Sequence, residues 1–183
     1  MSGPPAAGKS TSARPLADAL GYPLLCMDEV KEQLADAIGP GAIAITDELG
    51  DAAVRQLLAS ARELLSHGIS VVLEGFFQSN RYSSDFADLA KMADAVLVHL
   101  LADDSVLKYR YEMRALRNER HWIHGDTEKI GTLEAELPEH MAKRLNLNIP
   151  HIVIDTTRES MDITATAHLI RQTRKHQMQE NLA

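Results

Sequence analysis

The feature that most constrains this chain is the octapeptide Gly3-Pro4-Pro5-Ala6-Ala7-Gly8-Lys9-Ser10. It matches G-x-x-x-x-G-K-[ST], a spacing that average composition produces in a chain of this size about one time in a hundred. The pattern has physical content. Its glycines let the backbone curl around a polyphosphate with no Cβ in the way. The amides of Ala6, Ala7, Gly8, Lys9 and Ser10 can then aim at anionic oxygens, whereas Pro4 and Pro5 have no N–H to give. In such a loop the lysine, here Lys9, reaches the β- and γ-phosphates and the hydroxyl of Ser10 goes to Mg²⁺. Thr11 carries the loop into a helix whose positive end faces the phosphates. A phosphate loop of this kind normally follows a buried strand, yet only Met1 and Ser2 precede it here.

Beyond the loop, helical and strand-like segments alternate, which predicts an α/β protein with a mainly parallel sheet. Short apolar runs at 24–27, 69–73, 95–101 and 151–154 read as strands. Helices are expected from Thr11 to Leu20 (with Pro15 in its first turns), over the Val30, Leu34, Ile38 repeat, and along the stripe Val54, Leu57, Leu58, Ala61, Leu64, Leu65. Residues 39–51 read as a loop or irregular insertion. Phe86, Leu89 and Met92 mark another helix, and a long polar helix runs from Asp103 or Asp104 to about Arg120. Residues 127–147 read as helical with a break near Pro138, and a last helix starts near Glu159. At 183 residues the whole of 1–183 is expected to form one domain, with a lid segment near 110–130.

A net charge of −7 supplies no broad footprint for nucleic-acid phosphates, so nucleic acid is expected only as a polynucleotide end. The single cysteine, Cys26, excludes an internal disulfide framework and suits the cytosol. No basic-then-apolar leader is visible and no run is long enough to span a membrane, so a cytoplasmic protein with no membrane partner is expected.

Several residues are candidates for chemistry, each with a plainer alternative. Asp28 ends the strand 24–27, where α/β folds place ligands; it is either a carboxylate that accepts a proton from a substrate hydroxyl or the N-cap of the next helix. Glu74 ends the strand 69–73 and either orients Mg²⁺ or its waters or is simply a polar strand end. Phe76 and Phe77 line a pocket or belong to the core. Arg110, Arg114, Arg117 and His121 recur at i, i+4, i+7 and i+11, which puts them on one helix face with Arg120 to the side. That face either neutralises a transferring phosphoryl group or is merely solvated. His121, His124 and Asp126 have the residue types of metal ligands but no supporting cysteine, so a lid segment is the expectation. Asp155-Thr156-Thr157 ends the last strand near where a nucleotide base would lie.

These segments, GPPAAGKST at 3–11, Asp28, VVLEGFF at 71–77, RALRNERHWIHGD at 114–126 and VIDTT at 153–157, resemble the small P-loop kinases of the AAA-type ATP-binding group, relatives of zeta toxins and chloramphenicol phosphotransferase. The resemblance implies a three-layer α/β/α P-loop NTPase fold with strand order 2-3-1-4-5. It implies ATP and Mg²⁺ as cofactors, bound through Gly3, Ala6, Ala7, Gly8, Lys9, Ser10 and Thr11, with Ser10 and Glu74 on the metal side. It also implies a lid carrying Arg114, Arg117 and Arg120, and Asp28 as the base on an acceptor hydroxyl. The expected activity is transfer of the γ-phosphate of ATP to a small molecule or nucleotide-type acceptor. The alternatives are a nucleotide-binding NTPase or switch module without such an acceptor, and an inactive shortened kinase.

The first strand of that order is absent from the chain. Without it the strands at 69–73 and 95–101 would stand about 9–10 Å apart with unpaired edges. The expectation drawn from this is a start upstream of Met1 or a shortened chain, with about 5–8 apolar, β-branched residues directly upstream.

Overall fold

The computed structural model describes residues 1–127 and 144–180. Its elements alternate as the sequence predicts: α1 (Lys9–Leu20), β1 (Leu24–Cys26), α2 (Met27–Ile38), a 3₁₀ segment (Pro40–Ile45), α3 (Thr46–Ser66), β2 (Val72–Glu74), α4 (Ser79–Ala90), β3 (Leu97–Leu101), α5 (Asp104–Leu116), a short 3₁₀ turn (Trp122–His124), β4 (His151–Asp155) and α6 (Ile163–Glu180). Most of the segment expected to be helical over 127–147 lies outside the described residues.

The strands form two parallel pairs, β1 with β2 and β3 with β4. Met1 and Ser2 stand between them. The Ser2 amide donates to Val98 O (2.9 Å) and Ser2 O accepts from Leu100 N (2.9 Å), a parallel bridge opposite His99. On the other side the Met1 amino group donates to Leu73 O (2.6 Å) and Met1 O accepts from Gly75 N (3.4 Å). The two residues ahead of the phosphate loop therefore make one central rung, and with them counted as the first strand the order is the expected 2-3-1-4-5. Burial pulls the Met1 amine down to about 6, partly against the pull of the Glu74 carboxylate. Below the rung, a cavity of about 170 Å³ remains between β2 and β3, lined by Leu16, Leu73, Phe77, Leu97, Leu147 and Ile170 among others.

Helices cover both faces of the sheet. Val54, Leu57, Leu58 and Ala61 of α3 pack with Phe86 and Leu89 of α4 and with Phe77 and Leu97. Leu16 of α1, Leu107 of α5 and Ala167 and Ile170 of α6 pack with Val98 and Leu100. Leu97 and Val98 thus serve opposite faces, the period-2 alternation of a strand buried on both sides. Leu16, Leu57 and Leu100 are fully buried, each contributing about 1.5–3 kcal/mol.

Three boundaries differ from the sequence reading for local reasons. The segment 39–51 is not a loop: Pro40–Ile45 winds as a 3₁₀ turn and α3 starts at Thr46, with Gly50 inside it. The helix α5 stops at Leu116 rather than near Arg120, because Asn118 adopts φ 51, a left-handed conformation that asparagine tolerates and that ends a helix. The last helix begins at Ile163, after Asp162 Oδ1 accepts from Ala165 N at 2.9 Å.

Gly3 is where the loop meets the sheet most closely. Its φ is 146°, and a Cβ there would lie 2.2 Å from Leu100 O. Gly3→Ala must push the loop off β3, so it should lower unfolding stability by about 1–3 kcal/mol, read as a shifted urea midpoint. An unchanged midpoint would contradict this packing.

Candidate active site

The phosphate loop and the C-terminal ends of the strands open into a cavity of about 880 Å³. The loop turns through two left-handed residues, Ala6 (φ 63) and Gly8 (φ 85), and α1 starts at Lys9 with no side chain capping its end. The first-turn amides of α1 have no intrahelical partners, and no acidic residue sits in that turn to satisfy its positive pole. The loop is thus a cradle that fits an anion, and its fit for a nucleotide polyphosphate with Mg²⁺ rests on these amides, the Ser10 hydroxyl and the Lys9 ammonium.

Lys9 is 8% exposed, and its Nζ donates to Pro4 O within the same loop at 2.8 Å. Burial pulls its ammonium down to about 8, against the raising influence of Glu74 and Asp28, and Arg120 and Arg114 add to the lowering. Lys9 therefore stands in a field that already holds two guanidinium groups.

Among the cofactor-binding candidates, Ala6, Gly8, Lys9, Ser10, Thr11 and Arg120 line the cavity. Gly3 is buried against β3 instead. Ala7 is fully buried; its amide goes to Pro4 O (3.3 Å), and its carbonyl accepts from Thr156 Oγ1 (3.1 Å). Thr156, at the end of β4, also receives Arg110, whose Nη2 donates to Thr156 O at 2.6 Å. Thr156 therefore fastens the loop to the end of β4, and Arg110 holds Thr156 to α5.

Asp28 sits in the first turn of α2, one residue after that helix begins at Met27, with its carboxylate turned into the cavity. It makes no capping bond there; it accepts from Arg120 Nη2. Glu74 is 1% exposed and lies beneath the loop rather than along the cavity, accepting from Cys26 Sγ at 2.8 Å. Burial, with the Glu74 charge second, pushes the Cys26 thiol up to about 12. Phe76 lines the cavity, while Phe77 packs into the core, its ring centroid 4.5 Å from that of Phe86.

The arginine strip divides where α5 ends. Arg114, on the last turn, faces the cavity, and its Nε donates to Asp126 Oδ2 at 3.0 Å. Arg117 is exposed and does not line the cavity; it pairs at 3.5 Å with Glu119, which does. Arg120, carried past the Asn118 turn, bridges Asp28 and Asp126, the latter at 3.4 Å. Burial first, and the neighbouring Arg120 second, lower the Arg114 guanidinium from its usual value.

Four contacts around the cavity escaped the sequence reading. His121, His124 and Asp126 hold no cation site among the described residues; each has a protein partner. His121 Nε2 meets Asp36 Oδ1 at 2.9 Å and His124 Nε2 meets Glu32 Oε1 at 2.7 Å. With the Asp28–Arg120 pair, they dock the 120–124 segment onto one face of α2. The signal was present in the spacing Asp28, Glu32, Asp36, an i, i+4, i+8 acidic stripe. Asp51, which accepts from both Arg81 and Tyr82 on the far wall of the cavity, had no such signal.

Residues 1–139 match the family described as AAA domain, and the chain belongs to that family, in its small P-loop kinase branch. A shikimate kinase of Synechococcus sp. (strain CC9605) is 27% identical over 169 residues, 85% of this chain and 83% of that protein. A crystal structure from Chloroflexus aurantiacus, whose description as a kinase is itself provisional, matches with TM-score 0.80 and 27% identity over 94% of this chain and 95% of that one. An unliganded sugar kinase structure from Janibacter sp. HTCC2649 shares the fold, with TM-score 0.63 and 19% identity over 94% and 92% of the two chains. No helix among the described residues is long and apolar enough to cross a membrane.

Polyphosphate oxygens at the loop should restore the proton that burial loosens from Lys9. Binding of Mg-ATP at pH 8 should therefore take up about half a proton, and at pH 6.5 almost none, measured calorimetrically in buffers of differing ionisation enthalpy. The same lowered value means that the unfolded lysine binds more protons than the folded one between pH 8 and 10.5, so nucleotide-free stability should rise with pH across that window. Proton-neutral binding at pH 8 would contradict this placement of Lys9.

Proposed function

We propose that the chain is an ATP-dependent phosphotransferase that moves the γ-phosphoryl group of ATP to a hydroxyl of a small molecule or nucleotide-type acceptor. The observation that carries this reading is that Lys9, Asp28, Arg114 and Arg120 all line one cavity. A phosphate cradle alone serves any nucleotide switch. A carboxylate in the same cavity as the cradle, here in the first turn of the helix that follows β1, is what a hydroxyl acceptor needs.

In this reading the loop amides and Lys9 hold the β- and γ-phosphates. Ser10 would hold Mg²⁺ through its hydroxyl, and the ion would supply further neutralisation of the phosphate charge. Asp28 accepts the proton of the acceptor hydroxyl as its oxygen forms a bond to the γ-phosphorus; the bond from that phosphorus to the β,γ-bridging oxygen breaks, and ADP leaves. Arg114 and Arg120 offset the charge on the transferring group, the term that dominates phosphoryl transfer. Arg120 is bound to Asp28, so a shift of its guanidinium toward the phosphates would release the carboxylate for the acceptor.

The wall around Asp28 also limits the acceptor. Glu32, Asp47 and Asp51 line it, opposed by Lys31 and by Arg81, which is already bound to Asp51. An anionic acceptor would meet carboxylates there, so the site favours an uncharged or cationic polyhydroxy compound.

The test is ADP release from Mg-ATP across a panel of hydroxyl compounds with shikimate among them. Acceptor-stimulated release, larger with uncharged polyols than with shikimate, is expected. ADP release that no acceptor stimulates would favour an NTPase or switch module instead. Asp28→Asn should lower transfer by about 100-fold or more while leaving Mg-ATP affinity within about threefold. Transfer that survives the change would remove Asp28 from the chemistry.

A further inference from the structure

We infer that Asp126 is a positioning residue that sets the two lid arginines for phosphoryl transfer, a role that rests on the kinase reading above. Three donors converge on its carboxylate. Tyr111 Oη donates to Oδ1 at 3.1 Å, Arg114 Nε to Oδ2 at 3.0 Å, and Arg120 Nη1 to Oδ1 at 3.4 Å. The side chain of Asp126 is only 9% exposed, against 24% for Arg114 and 22% for Arg120. A carboxylate so placed is shielded from water on the side that matters, and its pull on both guanidiniums is correspondingly strong.

One carboxylate faces two guanidiniums, and the second carboxylate on Arg120, Asp28, belongs to the acceptor side. Lys9, in the same field, is drawn by Glu74 and Asp28. Asp126 is thus the carboxylate that keeps the two arginines together. Arg114 also keeps capacity to spare: its Nη2 lies 2.9 Å from Asp126 Oδ2 yet makes no hydrogen bond there. Both arginines line the cavity that holds the phosphate loop. Tyr111, buried in α5, anchors the other oxygen of Asp126 to the helix that carries Arg114. The hydrogen bonds therefore fix the carboxylate to the helix, and the carboxylate fixes the arginines across the Asn118 turn.

This arrangement predicts a transition-state effect with little ground-state effect, because the loop amides and Lys9 hold ATP while the arginines meet charge that develops later. Asp126→Asn keeps the shape but removes the charge and turns an amide NH₂ toward a guanidinium. With the acceptor found in the panel above, kcat should fall about 10- to 100-fold with KM for ATP nearly unchanged, measured well below the melting transition of the variant. Asp126→Glu should recover part of the loss. In an Arg114→Ala, Arg120→Ala background, the further change Asp126→Asn should cost almost nothing, since the arginines through which it acts are gone. Transfer by the wild-type chain with kcat unchanged in Asp126→Asn would overturn the role of Asp126 alone. A fall in ATP affinity matching the fall in kcat would overturn it too, by making Asp126 an ordinary structural residue. Absence of any transfer by the wild-type chain would overturn the kinase reading and this role with it.

Discussion

The structure depends on the two hydrogen bonds that Ser2 makes with β3. Through Val98 O and Leu100 N they tie the residue ahead of the phosphate loop to one strand pair, while Met1 reaches the other pair at Leu73 and Gly75. Without this rung the two halves of the sheet would share only helix packing. Ser2 is 2% exposed, so these backbone groups have no water to fall back on, and leaving each unpaired would cost about 1–3 kcal/mol. The rung also fixes where the loop begins. Gly3 follows against Leu100 O, and the loop then crosses to Thr156 at the end of β4 before turning into α1. The cradle is therefore referenced to both β3 and β4, and its floor is as rigid as the sheet.

On that floor three cations are held by three carboxylates. Lys9, Arg114 and Arg120 share one cavity, and the carboxylates that hold them, Glu74 below and Asp28 and Asp126 to the side, leave the centre open. Burial lowers both Lys9 and Arg114 from their usual values, and the neighbouring guanidiniums add to the lowering. The acidic stripe of α2 supplies the opposing wall. It docks the 120–124 segment through Arg120, His121 and His124, and its Asp28 and Glu32 line the cavity at the same time.

Much of this was legible in the sequence where the signal is local. The loop announces itself by spacing, because only glycine and a lysine-hydroxyl pair satisfy its geometry. Asp28 follows from its place after an apolar run, and the alternation of runs and stripes predicts the parallel sheet. What was not legible depends on single backbone choices or on distant partners. The positive φ of Asn118 ends α5 early, so a face drawn at i, i+4, i+7 and i+11 puts Arg117 beside Arg114, whereas the chain turns Arg117 out and Arg120 in. Asp126 looked like part of a metal triplet because its actual partners, Tyr111 and the two arginines, are brought to it only by that turn. Glu74 ends its strand as expected, but which way a strand-end carboxylate points depends on its neighbour across the sheet, here Cys26. The central rung could not be foreseen either, since two residues carry no periodicity.

The central claim is that this chain, as it folds here, holds a working phosphate cradle. The most direct measurement is a thermal melt with Mg-ATP, Mg-ADP and adenosine at equal concentration. A cooperative transition raised by both nucleotides and hardly at all by adenosine is the predicted result, because the stabilising contacts are to phosphates. A transition that no nucleotide moves, or one that adenosine raises as much as Mg-ATP, would contradict it.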